Sequence, residues 1–189
     1  GRDVLAQLLH GIRNSLSIGL TAAALSLAIG VTIGVVSGFK GGFLESSLML
    51  LTDVVYALPS ILLMMLIAAY LEERNPFLVS IIIGITSWPW VARAVRSQIL
   101  SLKTREFIDM SRMAGLSDLR IMFEDLLPNM ASYIFMAFVL LMSGAMIAEA
   151  GLSMIGLGVT RGISLGIILY WAQLLEAVRR ALWLWFLPP

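Results

Sequence analysis

Residues 14–39 read NSLSIGLTAAALSLAIGVTIGVVSGF, twenty-six positions without a charge between Arg13 and Lys40. A helix needs about 20 predominantly apolar residues to cross the hydrocarbon core of a bilayer. The stretch meets that length, and it is not alone. Glu45 and Glu72 enclose another twenty-six residues interrupted only by Asp53, and uncharged runs follow at 75–92 and 126–148. Four such runs in one chain of 189 residues define a polytopic helical membrane protein rather than a soluble fold with buried helices. Composition agrees. The chain is 59% apolar and 13% charged, against roughly 45–50% and about 25% for a soluble domain, with a mean hydropathy of +0.93.

The expected architecture is therefore all-α, one transmembrane domain over residues 1–189. Spans are expected at about 15–38, 46–71, 76–98 and 129–157. Gly151, Gly156 and Gly158 crowd the end of the fourth and predict a break there. Residues 162–175 hold a shorter uncharged run, read as a re-entrant or interfacial segment. The stretch ending in Trp183, Trp185 and Phe186 has the aromatic character of a membrane interface. Gly1-Arg2-Asp3 and the terminal Pro188-Pro189 read as the ends of a fragment.

Thirteen basic and twelve acidic residues leave a net charge of +1, with no field to draw nucleic acid. Cysteine is absent, which removes disulfides, thiolate ligands and cysteine nucleophiles. His10 is the single histidine and lies outside the spans, so no histidine relay or metal cluster is expected. Lys and Arg divide seven to six between the two sides, which by itself barely orients the chain. The densest group, Arg93, Arg96, Lys103, Arg105, Arg112 and Arg120, marks the 93–128 loop as the best candidate for the cytoplasmic side.

Inside the first span Ala22, Ser26, Gly30, Gly34 and Gly38 recur every fourth residue. Lipid supplies no hydrophobic drive between helices, so a small-residue stripe that lets two backbones approach predicts a tight helix–helix seam. Pro59 and Pro89 each remove a backbone donor and predict a kink in the second and third spans. Asp53 and Glu149 are acids at membrane depth, costly unless paired or hydrated. They read equally as a pathway lining or gate contact and as structural carboxylates bonded to a neighbouring helix. Met64, Met65, Met110, Met113, Met122, Met130 and Met136 suit packing or lipid contact better than a ligand surface.

Residues 99–128 are unlike the rest. From Ser101 up to Gly115 the segment reads as one short helix, with Phe107, Met110 and Ala114 on one face and charges on another. Gly115 is placed to end it, since a residue without Cβ tolerates the left-handed conformation. Ser117 is placed to cap a second helix, with Asp118 in its first turn and Leu119, Met122, Phe123 and Leu126 as its apolar face. Pro128 closes the loop. Two short amphipathic helices about a glycine bend make an apolar knuckle, suited to a soluble partner or to packing on its own bundle.

This loop resembles the "EAA" loop of binding-protein-dependent ABC importer permeases, whose pattern is EAA, three residues, Gly, nine residues, Ile-x-Leu-Pro. Asp109-Met110-Ser111 stands for EAA, Gly115 for the glycine, and Leu127-Pro128 for the end. The spacing matches throughout, with Asp125 where the pattern has isoleucine. Gly11-Ile12-Arg13-Asn14-Ser15-Leu16, Gly38-Phe39-Lys40-Gly41-Gly42, Ala57-Leu58-Pro59 near Asp53, Trp88-Pro89 with Ala92-Arg93, and Ala148-Glu149-Ala150-Gly151-Leu152-Ser153 through Gly158 resemble the peptide/nickel permeases of that class. Thr160-Arg161-Gly162-Ile163-Ser164 departs from the family's Pro-rich stretch.

The resemblance implies the importer-permease helix bundle in a prokaryotic cytoplasmic membrane, with one more span on each side of this sequence. It implies that Asp109, Met110, Ser111, Gly115, Leu116, Ser117, Asp118, Leu119, Leu127 and Pro128 couple to an ATP-hydrolysing subunit. It also implies a second homologous permease subunit (a heterodimer), two ATP-binding subunits and an external solute-binding protein. The chain's only lysines, Lys40 and Lys103, lie in no G-x-x-x-x-G-K-[ST] context, so ATP and Mg are expected on the partners and no cofactor or catalysis on this chain. Peptide, nickel or oligosaccharide is the implied solute. The competing readings are an ion-coupled secondary transporter using Asp53 and Glu149 and a passive channel.

Overall fold

The computed structural model describes residues 4–177 and 179–189. The start Gly1-Arg2-Asp3 lies outside them. Every regular element among the described residues is helical. The long axis of the bundle is α1 (Val4–Lys40), followed by α2 (Gly42–Ala57), α3 (Ser60–Ala69), α4 (Pro76–Ser87) and α5 (Pro89–Leu102). The knuckle contains α6 (Glu106–Met113), α7 (Asp118–Arg120), a π-helical turn at Ile121–Leu126 and α8 (Leu127–Asn129). The chain then forms α9 (Ala131–Met154), α10 (Leu165–Leu174) and the single turn α11 (Trp183–Phe186).

Among the described residues only α1 and α9 are single helices long and apolar enough to cross a membrane. The stretches of the expected second and third spans are helix pairs bent at Pro59 and Pro89, α2 with α3 by 78° and α4 with α5 by 45°. Proline causes both breaks, and the residue before it sets the angle. Leu58 is driven to extended backbone (φ −81°, ψ 129°), as a following proline favours. Trp88 stays helical (φ −72°, ψ −24°), so the chain turns less at Pro89.

The first helix also starts well before residue 15. Leu5, Leu9, Ile12 and Leu16 extend an outward apolar face through the stretch that holds His10 and Arg13, and isolated charges do not end a helix. The fourth span ends at Met154 rather than 157, in a hydrogen-bonded turn at Gly156. Within 162–175 only the ten residues of α10 are helical, too short to cross a bilayer.

α1 lies at the centre, packed on α4, α5 and α9. One core cluster joins Val35 and Phe39 of α1 to Val91, Val95 and Ile99 of α5 and to Ile108, Ile121 and Leu126 of the knuckle. A second joins Ile18 and Ala22 to Met64, Val79, Ile83 and Leu152. The far end of that second half is held by Arg74, whose charge alone entered the sequence reading. Its guanidinium donates to the carbonyls of Ala68 (3.0 Å) and Leu71 (2.8 Å) at the end of α3 and to Gly158 (3.0 Å) beyond α9. A cation at a helix C-terminus satisfies orphan carbonyls and complements the dipole.

Candidate functional site

The knuckle is built on Gly115, the tip residue at φ +76°. Gly115 N–H donates to Arg112 C=O (3.0 Å) and Leu116 N–H to Ser111 C=O (3.1 Å), the paired bonds of a Schellman turn. No atom lies within 4 Å of where its Cβ would stand, so backbone conformation rather than space requires glycine. Ser117 precedes α7 in extended backbone, but its hydroxyl caps nothing. The expected second helix is not one regular α-helix either, because a π-turn follows α7 after three residues.

That turn splits the expected apolar face in two. Met122 and Leu126 point inward with Ile108 and Ile121 and fasten the knuckle to α1 and α5. Leu119 and Phe123 are exposed and border a lateral apolar groove of about 670 Å³ shared with Leu27 and Val31 of α1 and Phe138 of α9. Leu116 and Leu127 are partly buried against the core, and Pro128 is exposed. At the tip Asp109, Met110, Arg112, Met113 and Ala114 face outward, with Met113 80% exposed. Ser111 turns its hydroxyl back onto Phe107 C=O (3.0 Å). Exposed apolar side chains ringed by charge are the features of a protein contact. Asp125, standing where the importer pattern has isoleucine, has one carboxylate oxygen buried without a partner.

The stripe of small residues packs on Val91, Val95 and Ile99 of α5, the same residues that share the knuckle's core cluster. A Cβ on Gly30 would stand 2.7 Å from Val91 Cβ, on Gly34 2.7 Å from both Ala92 C=O and Val95 Cβ, and on Gly38 2.8 Å from Ile99 Cβ. Ser26 Oγ donates to the Gly84 carbonyl (2.7 Å), carrying the seam across the break onto α4. The seam therefore joins α1 to both halves of the second broken pair.

A cleft of about 520 Å³ lies where the two proline breaks face α9, lined by Tyr56, Pro59, Met64, Thr86, Pro89, Trp90 and Gly144 among others. Neither acid singled out in the sequence lines it. Asp53 Oδ1 is 3.1 Å from Arg93 Nη2 of α5, both side chains half-exposed, and the guanidinium sits 4.6 Å over the Tyr56 ring. Glu149 is fully buried. Its Oε1 accepts from Ser153 Oγ (2.7 Å) and from Ser164 Oγ (2.6 Å), which ties α9 to the first turn of α10. Its Oε2 has no partner. Among the described residues no group of three or more His, Cys, Asp or Glu is placed to hold a metal ion.

A helical membrane bundle with two proline-broken pairs, an intramembrane cleft between them and a projecting glycine knuckle defines the class: a membrane transport component. The chain belongs to the family of binding-protein-dependent transport system inner membrane components, which matches residues 30–178. It is 38% identical over 159 residues to the oligopeptide transport system permease protein OppC of Bacillus subtilis, covering 84% of this chain and 52% of that protein. It is 38% identical over 161 residues to the dipeptide transport system permease protein DppC of the same organism, covering 84% and 49%. The OppC of Lactococcus lactis subsp. cremoris is 30% identical over 186 residues, covering 98% and 63%. The chain thus spans about half to under two thirds of these relatives. Its fold matches a chain of the MetNI methionine ABC transporter in an inward-facing conformation, with a TM-score of 0.74 at 16% identity, covering 100% of this chain and 95% of that one.

Proposed function

We propose that this chain is the membrane-spanning part of a peptide permease subunit in an ATP-driven ABC importer of a prokaryotic cytoplasmic membrane. It forms half of the translocation pathway beside a second, homologous permease. Two ATP-binding subunits supply ATP and Mg, and an external binding protein delivers the solute. Peptide is favoured over nickel or oligosaccharide because the similar permeases OppC and DppC are named for peptides. The observation that carries the coupling role is the knuckle: an exposed Met110–Met113 tip on a base locked into the bundle by Ile108, Ile121 and Leu126. A partner that moves the tip moves helices, because the base has no slack of its own.

The two acids act in this reading as braces between helices. Asp53 holds α2 to α5 and Glu149 holds α9 to α10. Interhelical hydrogen bonds in membranes contribute about 0.6 kcal/mol on average, so amides of the same shape retain much of the function. The test uses the full-length protein with its partner subunits and binding protein in proteoliposomes. Peptide uptake is expected to follow ATP with no ion gradient, and to survive Asp53→Asn and Glu149→Gln at reduced rate. Gradient-driven uptake that ignores ATP and stops with either amide would replace the importer with an ion-coupled carrier.

A further inference from the structure

The corner between α1 and α2 is held from outside on both sides. α1 ends at Lys40, and Gly41 and Gly42, at φ +71° and +62°, turn the chain into α2. Before the corner, Lys40 Nζ lies 2.6 Å from Asp118 Oδ2 of the knuckle. Lys103 Nζ, beyond α5, donates to Gly38 C=O (2.9 Å), one of the free carbonyls ending α1. Arg112 of α6 stands 5.6 Å over the ring of Phe39. After the corner, Glu45 in the first turn of α2 is paired with Arg96 of α5. Helices α6 and α7 of the knuckle thus both contact the last turn of α1, at sequence separations above seventy residues.

The far side of the corner is lightly packed and is tied to α5 by ion pairs, Asp53–Arg93 beside Glu45–Arg96. α2 buries one residue, Thr52, and leads directly to Tyr56, Leu58 and Pro59 on the cleft. We infer that the α1–α2 corner transmits knuckle movement to the cleft, with Lys40 and Asp118 as the positioning residues that join them. The chain-adjacent helices α5 and α9 are then not the only route from the tip. A displaced knuckle draws the end of α1 with it, the two glycines let α2 reorient, and the wall of the cleft at Pro59 follows. This rests on the reading of the knuckle as the contact with the ATPase.

The test is charge reversal in the full-length complex in proteoliposomes, with ATP hydrolysis and peptide uptake read from the same vesicles. Lys40→Asp and Asp118→Lys are each expected to lower peptide taken up per ATP hydrolysed by about two- to five-fold, the scale of an exposed ion pair. The combined reversal rebuilds the pair with opposite sense and is expected to restore the ratio. The ratio rather than the yield is the readout, because a pair that only stabilised the fold would lower the amount of assembled complex and leave uptake per ATP unchanged. An unchanged ratio in both single variants, or a swap no better than either, overturns the corner as the route while leaving the importer intact. Wild-type uptake indifferent to ATP overturns the importer reading and the corner with it.

Discussion

The two proline-broken pairs begin from the same chemistry and end differently. In α4–α5 the inward residues Val79, Ile82, Ile83, Val91, Ala92, Val95 and Ile99 are buried, whereas α2–α3 bury only Thr52, Met64 and Ala68. Proline does not explain the contrast, since each pair has one at its break. The facing surface does. α1 presents glycines to α5, and backbone approaches backbone closely enough that Val95 occupies the space a Cβ on Gly34 would need. α2 presents Phe43, Leu50, Leu51 and Val54 outward instead. In lipid such side chains gain no hydrophobic free energy by facing another helix. One broken pair is therefore a fixed wall and the other a lightly packed wall held by polar contacts, Glu45–Arg96 and Asp53–Arg93 along α2 and Arg74 at the end of α3.

The largest effect should come from breaking the fixed wall. Gly34→Leu drives a side chain into the Ala92 carbonyl and Val95, and overpacking of this kind costs about 1–3 kcal/mol or more. Here the obstacle is partly backbone, so we expect most assembled protein to be lost. Ile33→Phe, one residue away on a half-buried position, should assemble nearly normally. Yield of monodisperse complex after detergent extraction measures both, and equal losses would dissolve the distinction between the walls.

A smaller effect is expected where the knuckle hangs from that wall. Gly115→Val meets no atom but must hold a β-branched residue at φ +76°, a strain of about 1–3 kcal/mol. The complex should assemble, while uptake stimulated by the binding protein falls about ten-fold. Gly115→Asn, which tolerates the left-handed region better, should fall less. Normal uptake in the valine variant would remove the bend from the mechanism.

The smallest change is one of shape. Pro59→Ala restores a backbone donor to the lightly packed pair, and we expect the α2–α3 bend to relax, lengthening the distance between spin labels at Leu50 and Leu66. Pro89→Ala should leave α4–α5 bent, because the glycine seam fixes both halves. Straightening of both pairs would show that proline alone sets the angles, and straightening of neither would show that proline sets neither of them.

Much of this was legible in the residues, and the part that was not is tertiary. Charge gaps marked the membrane segments, the four-residue spacing of Ser26, Gly30, Gly34 and Gly38 marked a face, and Gly115 marked a left-handed stop. A stripe does not name its partner, though, and nothing in 14–39 points to Val91, Val95 or Ile99. Helical periodicity placed Leu119 and Phe123 on one face with Met122 and Leu126, but a π-turn changes the residues per turn and rotates them apart. Ser117 has the residue type and backbone of a cap without the bond. Lys40–Asp118 and Glu45–Arg96 join residues 78 and 51 positions apart, and charge counts carry no such pairing. Arg74 offered one faint signal, a lone arginine just past the end of an apolar run, where exposed helix carbonyls need a donor.

The central claim is that one wall of the cleft is fixed and the other moves, and paired spin-label distances test it most directly. One pair, Leu20 on α1 with Ile85 on α4, reports the seam. The other, Leu62 on α3 with Leu140 on α9, reports across the cleft. Both are measured in the full-length complex in lipid nanodiscs, with and without ADP trapped by vanadate after ATP hydrolysis. The account predicts that the seam distance stays within about 1 Å while the cleft distance shifts by more than the 1–2 Å typical of small helix adjustments. Equal shifts in the two pairs, or a seam that moves while the cleft stays still, would contradict it.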